Sequence, residues 1–278
     1  MSKKFILNFT PTGMIPTRKM TPHVPIHPPE IIEQVTEAAN LGANMVHVHA
    51  RDPETEKPTH KKEIYQTIVE GIRERNPDLV ICVSLSGRSV SEFEYRSEPL
   101  DLTGDAKPDF GSLTLASLNF PMQASVNSPK MVQDLARKML DNGIKPELEA
   151  FDLGMVNYAH YLINKKLVTP PYYFNIILGN IASAQANMMS LGLMVNELPE
   201  DSVWSAGGIG RFQFSMNAMA IIAGGGIRIG LEDNIFFDDE RTRLGTNREF
   251  IERILLVADA AGCTPYTHKE TRQLLGVR

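Results

Sequence analysis

The amino-acid sequence predicts an α/β protein folded as one (β/α)8 TIM barrel, and three observations predict it. Eight short β-rich runs alternate with stretches of helical periodicity, a pattern that calls for parallel strands joined by crossover helices. No linker, low-complexity tract or shift in composition divides residues 1–278, so a single domain accounts for the chain. Its 278 residues, 42% of them hydrophobic, match the roughly 250 of a typical barrel. Eight units favour closure over a doubly wound open sheet, which is the alternative architecture.

The elements follow in order. Strand one is expected at residues 5–9. Pro28-Pro29-Glu30 supplies a helix start, because proline suits the first turn, and the helix over 29–40 stops at Leu41-Gly42. Residues 44–49 form strand two, and a helix over Lys62–Arg75 ends at Asn76-Pro77. Strand three covers 79–85. Residues 90–107 are polar, carry five acidic side chains and lack a clear period, which reads as a long loop or a short helix over one barrel end. Strand four spans 110–115, after which Ser128-Pro129 caps a helix to Leu140, with Asn142-Gly143 as its stop. Strands five and six fall at 147–151 and 173–178. A helix beginning at Asn180 or Ser183 fades at Leu191-Gly192, and strands seven and eight are expected at 202–206 and 227–231.

A formal charge of −5 without any basic block argues against a nucleic-acid partner. The richest apolar stretch, residues 218–229, is broken by Gly224-Gly225-Gly226 and Arg228, well short of the roughly 20 residues that cross a bilayer. A soluble protein without a membrane partner is expected. Only Cys82 and Cys263 are present, and the first apolar run leads to Asn8 and Pro11 rather than to a cleavage site, which points to a reducing cytoplasm.

The most informative motif is His47-Val48-His49 inside strand two. Side chains at i and i+2 share one face of a strand, so both imidazoles converge while Val46 and Val48 point away. Two buried neutral rings leave nitrogens that a divalent cation satisfies together; the alternative is a hydrogen-bonded pair of core histidines. In strand eight, Arg228 and Glu232 are separated by Ile229, Gly230 and Leu231, so an extended chain sends both into the barrel interior. Glu232 then becomes the third ligand. Two imidazoles and one carboxylate leave a fourth position open on zinc, the pattern of a catalytic site. Asp233, turned the other way, either pairs with Arg228 or acts as a base; an ion pair closing the barrel end is the structural alternative.

Barrel enzymes place their chemistry at the C-terminal ends of strands. Ser84, Ser86 and Arg88 follow strand three, Ser117 and Asn119 follow strand four, and Glu147 and Glu149 lie in strand five. Ser86, Ser117 and Asn119 are candidates to hydrogen-bond substrate oxygens. Gly207, Gly208 and Gly210 either bind phosphate through backbone amides or simply permit tight turns.

These residues resemble the beta-keto acid cleavage enzymes, of which the 3-keto-5-aminohexanoate cleavage enzyme is the best-known type. The resemblance spans nearly the whole chain and rests on Pro22-His23-Val24-Pro25, on His47-Val48-His49-Ala50-Arg51 and on Lys145-Pro146-Glu147-Leu148-Glu149-Ala150-Phe151-Asp152. It continues through Trp204-Ser205-Ala206-Gly207-Gly208-Ile209-Gly210-Arg211 and the run from Gly225 to Asn234. It implies a (β/α)8 barrel, bound Zn2+, a homotetramer, and a retro-Claisen reaction in which a β-keto acid and acetyl-CoA yield acetoacetate and a new acyl-CoA. It assigns His47, His49 and Glu232 to the metal, Arg228 with Asp233 to proton abstraction, and Glu149 to orienting Arg228. Ser86, Ser117 and Asn119 match positions that touch substrate.

Two departures bear on the substrate. Where the aminohexanoate enzyme has a Thr-Gly-Ala-Glu type segment, this chain reads Thr12-Gly13-Met14-Ile15-Pro16, so the carboxylate for an amino group is missing and Met14 suggests an apolar wall. Where many relatives have Thr-Gly-Gly, Leu85-Ser86-Gly87-Arg88 brings an arginine suited to a second carboxylate. A neutral or anionic β-keto acid is expected. Arg51 and Arg211 are candidate contacts to CoA, for which no short motif exists. The enzymatic alternative is a zinc-dependent aldolase or amidohydrolase-type barrel, disfavoured because its His-x-His pair usually sits on strand one. A metal-stabilised scaffold without catalysis is disfavoured by the presence of Arg228 and Asp233.

Overall fold

The computed structural model describes residues 3–277. Eight parallel strands close into a barrel in sequence order: β1 (Leu7–Phe9), β2 (Met45–Val48), β3 (Val80–Val83), β4 (Phe110–Thr114), β5 (Lys145–Ala150), β6 (Tyr172–Leu178), β7 (Ser202–Gly208) and β8 (Gly226–Ile229), with β8 returning to β1 at Arg228↔Asn8. The helices are α1 (Pro28–Leu41), α2 (Lys62–Arg75), α3 (Pro129–Asp141), α4 (Leu153–Asn164), α5 (Met188–Asn196), α6 (Gln213–Ile222), α7 (Asn247–Ala260) and α8 (His268–Leu275). The TIM barrel expected from the alternation is the fold observed.

Strand periodicity divides the core in two. Val46, Val48, Ile81, Val83, Leu148 and Phe174 face outward and pack with the helices, while Met45, Val80, Phe110 and Tyr173 fill the lower interior with Ile6. Above that apolar plug the inward positions are polar: Asn8, His47, Ser112, Glu147 and Asn175 are all nearly or fully buried. Side chains of this kind are tolerated inside a barrel only when their partners are inside too. No helix among the described residues is long and apolar enough to cross a membrane, and both cysteines are free and buried.

Three local expectations are corrected. The first β-run splits at Ile6: Lys3–Phe5 pairs with Cys263–Pro265 outside the barrel, and the Leu7 amide donates to the Asn44 side chain at 3.0 Å instead of continuing one ladder. Residues 90–107 carry the expected short helix, Phe93–Arg96, followed by two 3-10 turns, Glu98–Asp101 and Gly104–Ala106. Buried Leu100 anchors that segment. The helix expected from Asn180 or Ser183 begins only at Met188, capped by Asn187, because Asn180 donates to the Asn119 carbonyl at 2.8 Å and the Ala184 amide to Phe151 at 2.9 Å, holding the intervening chain across the mouth. It runs past Gly192 because Leu191 and Met194 are both buried there.

The third correction concerns β8, which ends at Ile229 rather than extending through Leu231. Gly230 has φ +153°, and a Cβ there would lie 2.1 Å from the Thr10 carbonyl oxygen, so the chain leaves the sheet at a place only glycine fits. Gly230→Ala is expected to lower unfolding free energy by about 3 kcal/mol, through strain plus a backbone clash that no rotamer relieves. Urea unfolding monitored by circular dichroism checks this; an unchanged midpoint contradicts it.

Candidate active site

The C-terminal ends of the strands surround a cavity that opens to solvent. His49, just beyond β2, lines it, and His47 from β2 lies beneath on the same face, as their i, i+2 spacing requires; they are 5% and 1% exposed. Their Nε2 atoms lie 3.2 Å apart, and His49 Nε2 is 3.1 Å from Glu232 Oε1. Glu232 reaches this point through the turn after Gly230 rather than by strand alternation. Gly13 makes room for it: a Cβ at that residue, whose φ is +66°, would lie 2.5 Å from Glu232 Cγ.

Arg228, 2% exposed, anchors the other carboxylates. Its Nε donates to Asp233 Oδ2 at 2.7 Å and its Nη2 to Glu232 Oε1 at 2.6 Å. Glu149 stands 3.9 Å from Nη1, an ionic contact without a hydrogen bond, while its Oε2 accepts from Thr114 at 2.6 Å. Asp233 therefore pairs with Arg228 at the cavity edge, 9% exposed, and burial raises its carboxyl above the usual range against the pull of Arg228. Burial likewise raises Glu149. At Glu232 burial acts upward too, but His49, Arg228 and His47 together hold it well below the carboxylate range.

The two imidazoles differ. Burial disfavours the charged form of both, yet Glu147 and then Glu232 raise His47 to about 9, whereas burial prevails at His49 and lowers it to about 4. His49 thus presents a neutral ring, the form that ligates a cation. The ligand atoms of His47, His49 and Glu232 all lie within 4.8 Å of one another, so these three could hold a metal ion. His47, Cys82 and Glu147 form a second such group. Glu147 is already saturated, however: Asn8 donates at 2.7 Å, Asn175 at 3.1 Å and Cys82 at 3.3 Å, with His47 Nδ1 at 2.6 Å. The mouth-facing group is the better candidate.

Against this geometry, the sequence profile of the beta-keto acid cleavage enzymes matches residues 4–277. The chain belongs to the beta-keto acid cleavage enzyme family. It is 32% identical over 279 residues to a 3-keto-5-aminohexanoate cleavage enzyme of Fusobacterium nucleatum, covering 100% of both chains. It is 31% identical over 280 residues to a 3-oxoadipate:acetyl-CoA acetyltransferase of Cupriavidus necator, covering 100% of this chain and 96% of that one. Among solved structures, a ternary complex of ObcA with a C4-CoA adduct and oxalate superposes with a TM-score of 0.79 at 21% identity, over 92% of this chain and 68% of the other, a likeness of fold. As a member of this family the protein is an enzyme.

The remaining residues anticipated from sequence divide by position. Met14, Ser86 and Arg88 line the cavity of this family enzyme. Ser117 and Asn119 do not: β4 ends at Thr114, and the chain turns into a hairpin in which Leu118–Asn119 pairs with Ala124–Ser125. Ser117 Oγ there accepts from the Asn127 amide at 2.8 Å. Arg51 is taken up structurally, donating to the carbonyls of Gly13, Pro16 and Glu56 at 2.9 to 3.0 Å, whereas Arg211 is exposed. The glycine turn after β7 uses its amides internally, Gly210 donating to Asp233 at 2.7 Å and Ile209 to Leu178 at 3.0 Å, which is the tight-turn reading rather than a phosphate cradle.

Sequence reasoning assigned no role to three residues that the structure brings to the site. Ser84 and Thr114 line the cavity, and Glu147 orients His47 from below. The available signal was strand register: Glu147 lies two residues before Glu149, and Ser84 two before Ser86, so each shares an inward face with a residue already singled out.

Proposed function

We propose that the enzyme holds Zn2+ on His47, His49 and Glu232 and catalyses a retro-Claisen exchange between a β-keto acid and acetyl-CoA. The carbon between the two carbonyls of the keto acid gives up a proton and bonds to the acetyl carbonyl carbon, releasing the CoA thiolate. The bond from that carbon to the original ketone then breaks as the thiolate takes the departing acyl group, and the released carbanion takes back the proton held on Asp233, leaving acetoacetate and a new acyl-CoA. One observation carries the reading: His49 and Glu232, with His47 Nε2 3.2 Å behind His49, line the same cavity as the Arg228–Asp233 pair.

The residues fit the ion. Glu232 Oε2 is buried without a hydrogen-bond partner, and His47 is oriented by Glu147 so that Nε2, not Nδ1, faces the cluster. When bound, a divalent ion supplies Lewis-acid polarisation of a ketone oxygen and neutralises developing negative charge. The chain's own groups do the rest. Asp233, its basicity raised by burial, accepts the proton at Oδ1 or Oδ2, and Arg228 keeps that carboxylate aimed at the cavity. Ser84, Ser86 and Thr114 hydroxyls orient the keto acid from the β3 and β4 side.

A 5-amino substrate is disfavoured. A cationic amine would meet Met14 and Arg88, while the cavity carboxylates Glu149, Glu232 and Asp233 are engaged with Thr114, His49 and Arg228. Similar identity to an aminohexanoate enzyme and an oxoadipate enzyme leaves that choice to pocket chemistry. Assembly as a homotetramer is part of this proposal, and the apolar Met188, Met189 and Leu193 of α5, 73%, 77% and 50% exposed, are available for subunit contact.

The decisive assay is acetoacetate release from a panel of β-keto acids with and without acetyl-CoA. CoA-dependent release with stoichiometric new acyl-CoA is expected; products formed equally well without CoA would indicate an aldolase or hydrolase instead. In a second test, Glu147→Gln is expected to weaken zinc affinity about 10- to 100-fold by loosening the His47 ring. Competition against a chromogenic chelator measures this, and wild-type affinity in that variant would refute the orienting role.

A further inference from the structure

Among the described residues, each arginine buried around the mouth donates hydrogen bonds to protein groups, with one exception. Arg51 donates to three backbone carbonyls, Arg96 to the carbonyls of Leu85 and Val126 and to Asn127, and Arg228 to Asp233 and Glu232, with its Nη1 left only an ionic contact to Glu149. Arg88 lines the same cavity as His49 and Asp233 but donates no hydrogen bond and enters no ion pair. Its guanidinium carbon instead lies 3.3 Å from the centre of the Phe120 ring. A half-buried guanidinium stacked on an aromatic face, with its edge donors unspent, is prepared for a planar anion.

The support beneath it is rigid. Arg96 fastens the Leu85 carbonyl at 2.6 Å, the Val126 amide donates to Gly87 at 3.3 Å, and Phe120 itself packs edge-on against Phe151 with ring centres 5.9 Å apart. Burial disfavours the charge on Arg88, and the carboxylates whose fields sustain it, Glu232, Asp233 and Glu149, each have a closer partner. Much of the remaining wall is apolar, with Met14, Ile15, Leu118 and Ile209 suited to methylene groups.

We propose that Arg88, stacked on Phe120, receives a second carboxylate at the far end of the β-keto acid, which makes a 3-oxo-dicarboxylate the substrate class. This rests on the β-keto acid cleavage reading given above. The test compares a six-carbon 3-oxo-dicarboxylate with the six-carbon 3-oxo monocarboxylate, each with acetyl-CoA, in the wild-type enzyme, Arg88→Met and Arg88→Lys. The wild type is expected to favour the dicarboxylate at least about 10-fold in kcat/KM, since a site built for an anion is left with an unpaired charge by the neutral end. That ratio is expected to fall about 100-fold in Arg88→Met and about 10-fold in Arg88→Lys, which keeps the charge but loses the planar fork.

An unchanged ratio in Arg88→Met overturns the proposal. Equal loss on both substrates would place Arg88 on the carboxylate they share, and a rise confined to the KM for acetyl-CoA would place it on a CoA phosphate. Indifference of the wild type to the second carboxylate also overturns it while leaving the cleavage reading intact. Absence of acetoacetate from every β-keto acid removes that reading, and this proposal with it.

Discussion

Asp233→Asn is expected to lower kcat for acetoacetate formation about 1000-fold, within the range typical of losing a positioned base. The amide is nearly the same shape, and its oxygen still accepts from Arg228 Nε, which in the wild type donates to Asp233 Oδ2 at 2.7 Å. Only the capacity to take up a proton is removed. Asp233 is not among the three residues of the mouth-facing ligand group, so zinc content is expected to persist, which separates loss of the base from loss of the metal. Exchange of the keto acid's acidic hydrogens with solvent deuterium, followed by NMR, gives a readout independent of turnover. A variant that retains wild-type kcat or wild-type exchange would remove Asp233 from the proton-transfer step.

His49→Ala is expected to abolish both zinc retention and activity. The substitution is cleaner than one at Glu232, whose loss would also strip a partner from Arg228, or at His47, which would leave Glu147 buried without one of its donors. His49 Nε2 touches only His47 and Glu232 among the contacts described. In the wild type, free Zn2+ at about 100 times its Kd should stabilise the fold by roughly 2.7 kcal/mol, a rise in Tm of about 5 °C or more for a chain of this size. The variant should show no rise, and dialysis of the wild type against a chelator should remove activity that Zn2+ restores. A metal-independent enzyme with an unshifted Tm would defeat the proposed ligand set.

The barrel was legible because its signals are local and repeated. Outward Val46, Val48, Ile81 and Val83 alternate with inward residues at a period of two, and Pro28, Asn76-Pro77 and Ser128-Pro129 mark helix ends through their own backbone chemistry. The His47–His49 pairing was legible for the same reason. Elements set by partners distant in sequence were less so. The helix expected from Asn180 or Ser183 is delayed to Met188 by bonds to Asn119 and Phe151, and Ser117 and Asn119 are carried off the cavity by a hairpin that no period announces.

The alternation of strands and helices, the inward histidine pair and the sequence adjacency of Arg228, Glu232 and Asp233 were determined by the sequence itself, because each depends on residues within one turn or one strand of each other. Only the tertiary structure decided that Glu147 stands 2.6 Å from His47 across 100 residues, that Gly13 clears the space for Glu232, and that Arg88 reaches the cavity with its donors unspent while Arg51 does not. Such outcomes turn on which backbone carbonyl or carboxylate arrives first at a guanidinium or an imidazole. That is settled by barrel closure, which brings together groups far apart along the chain.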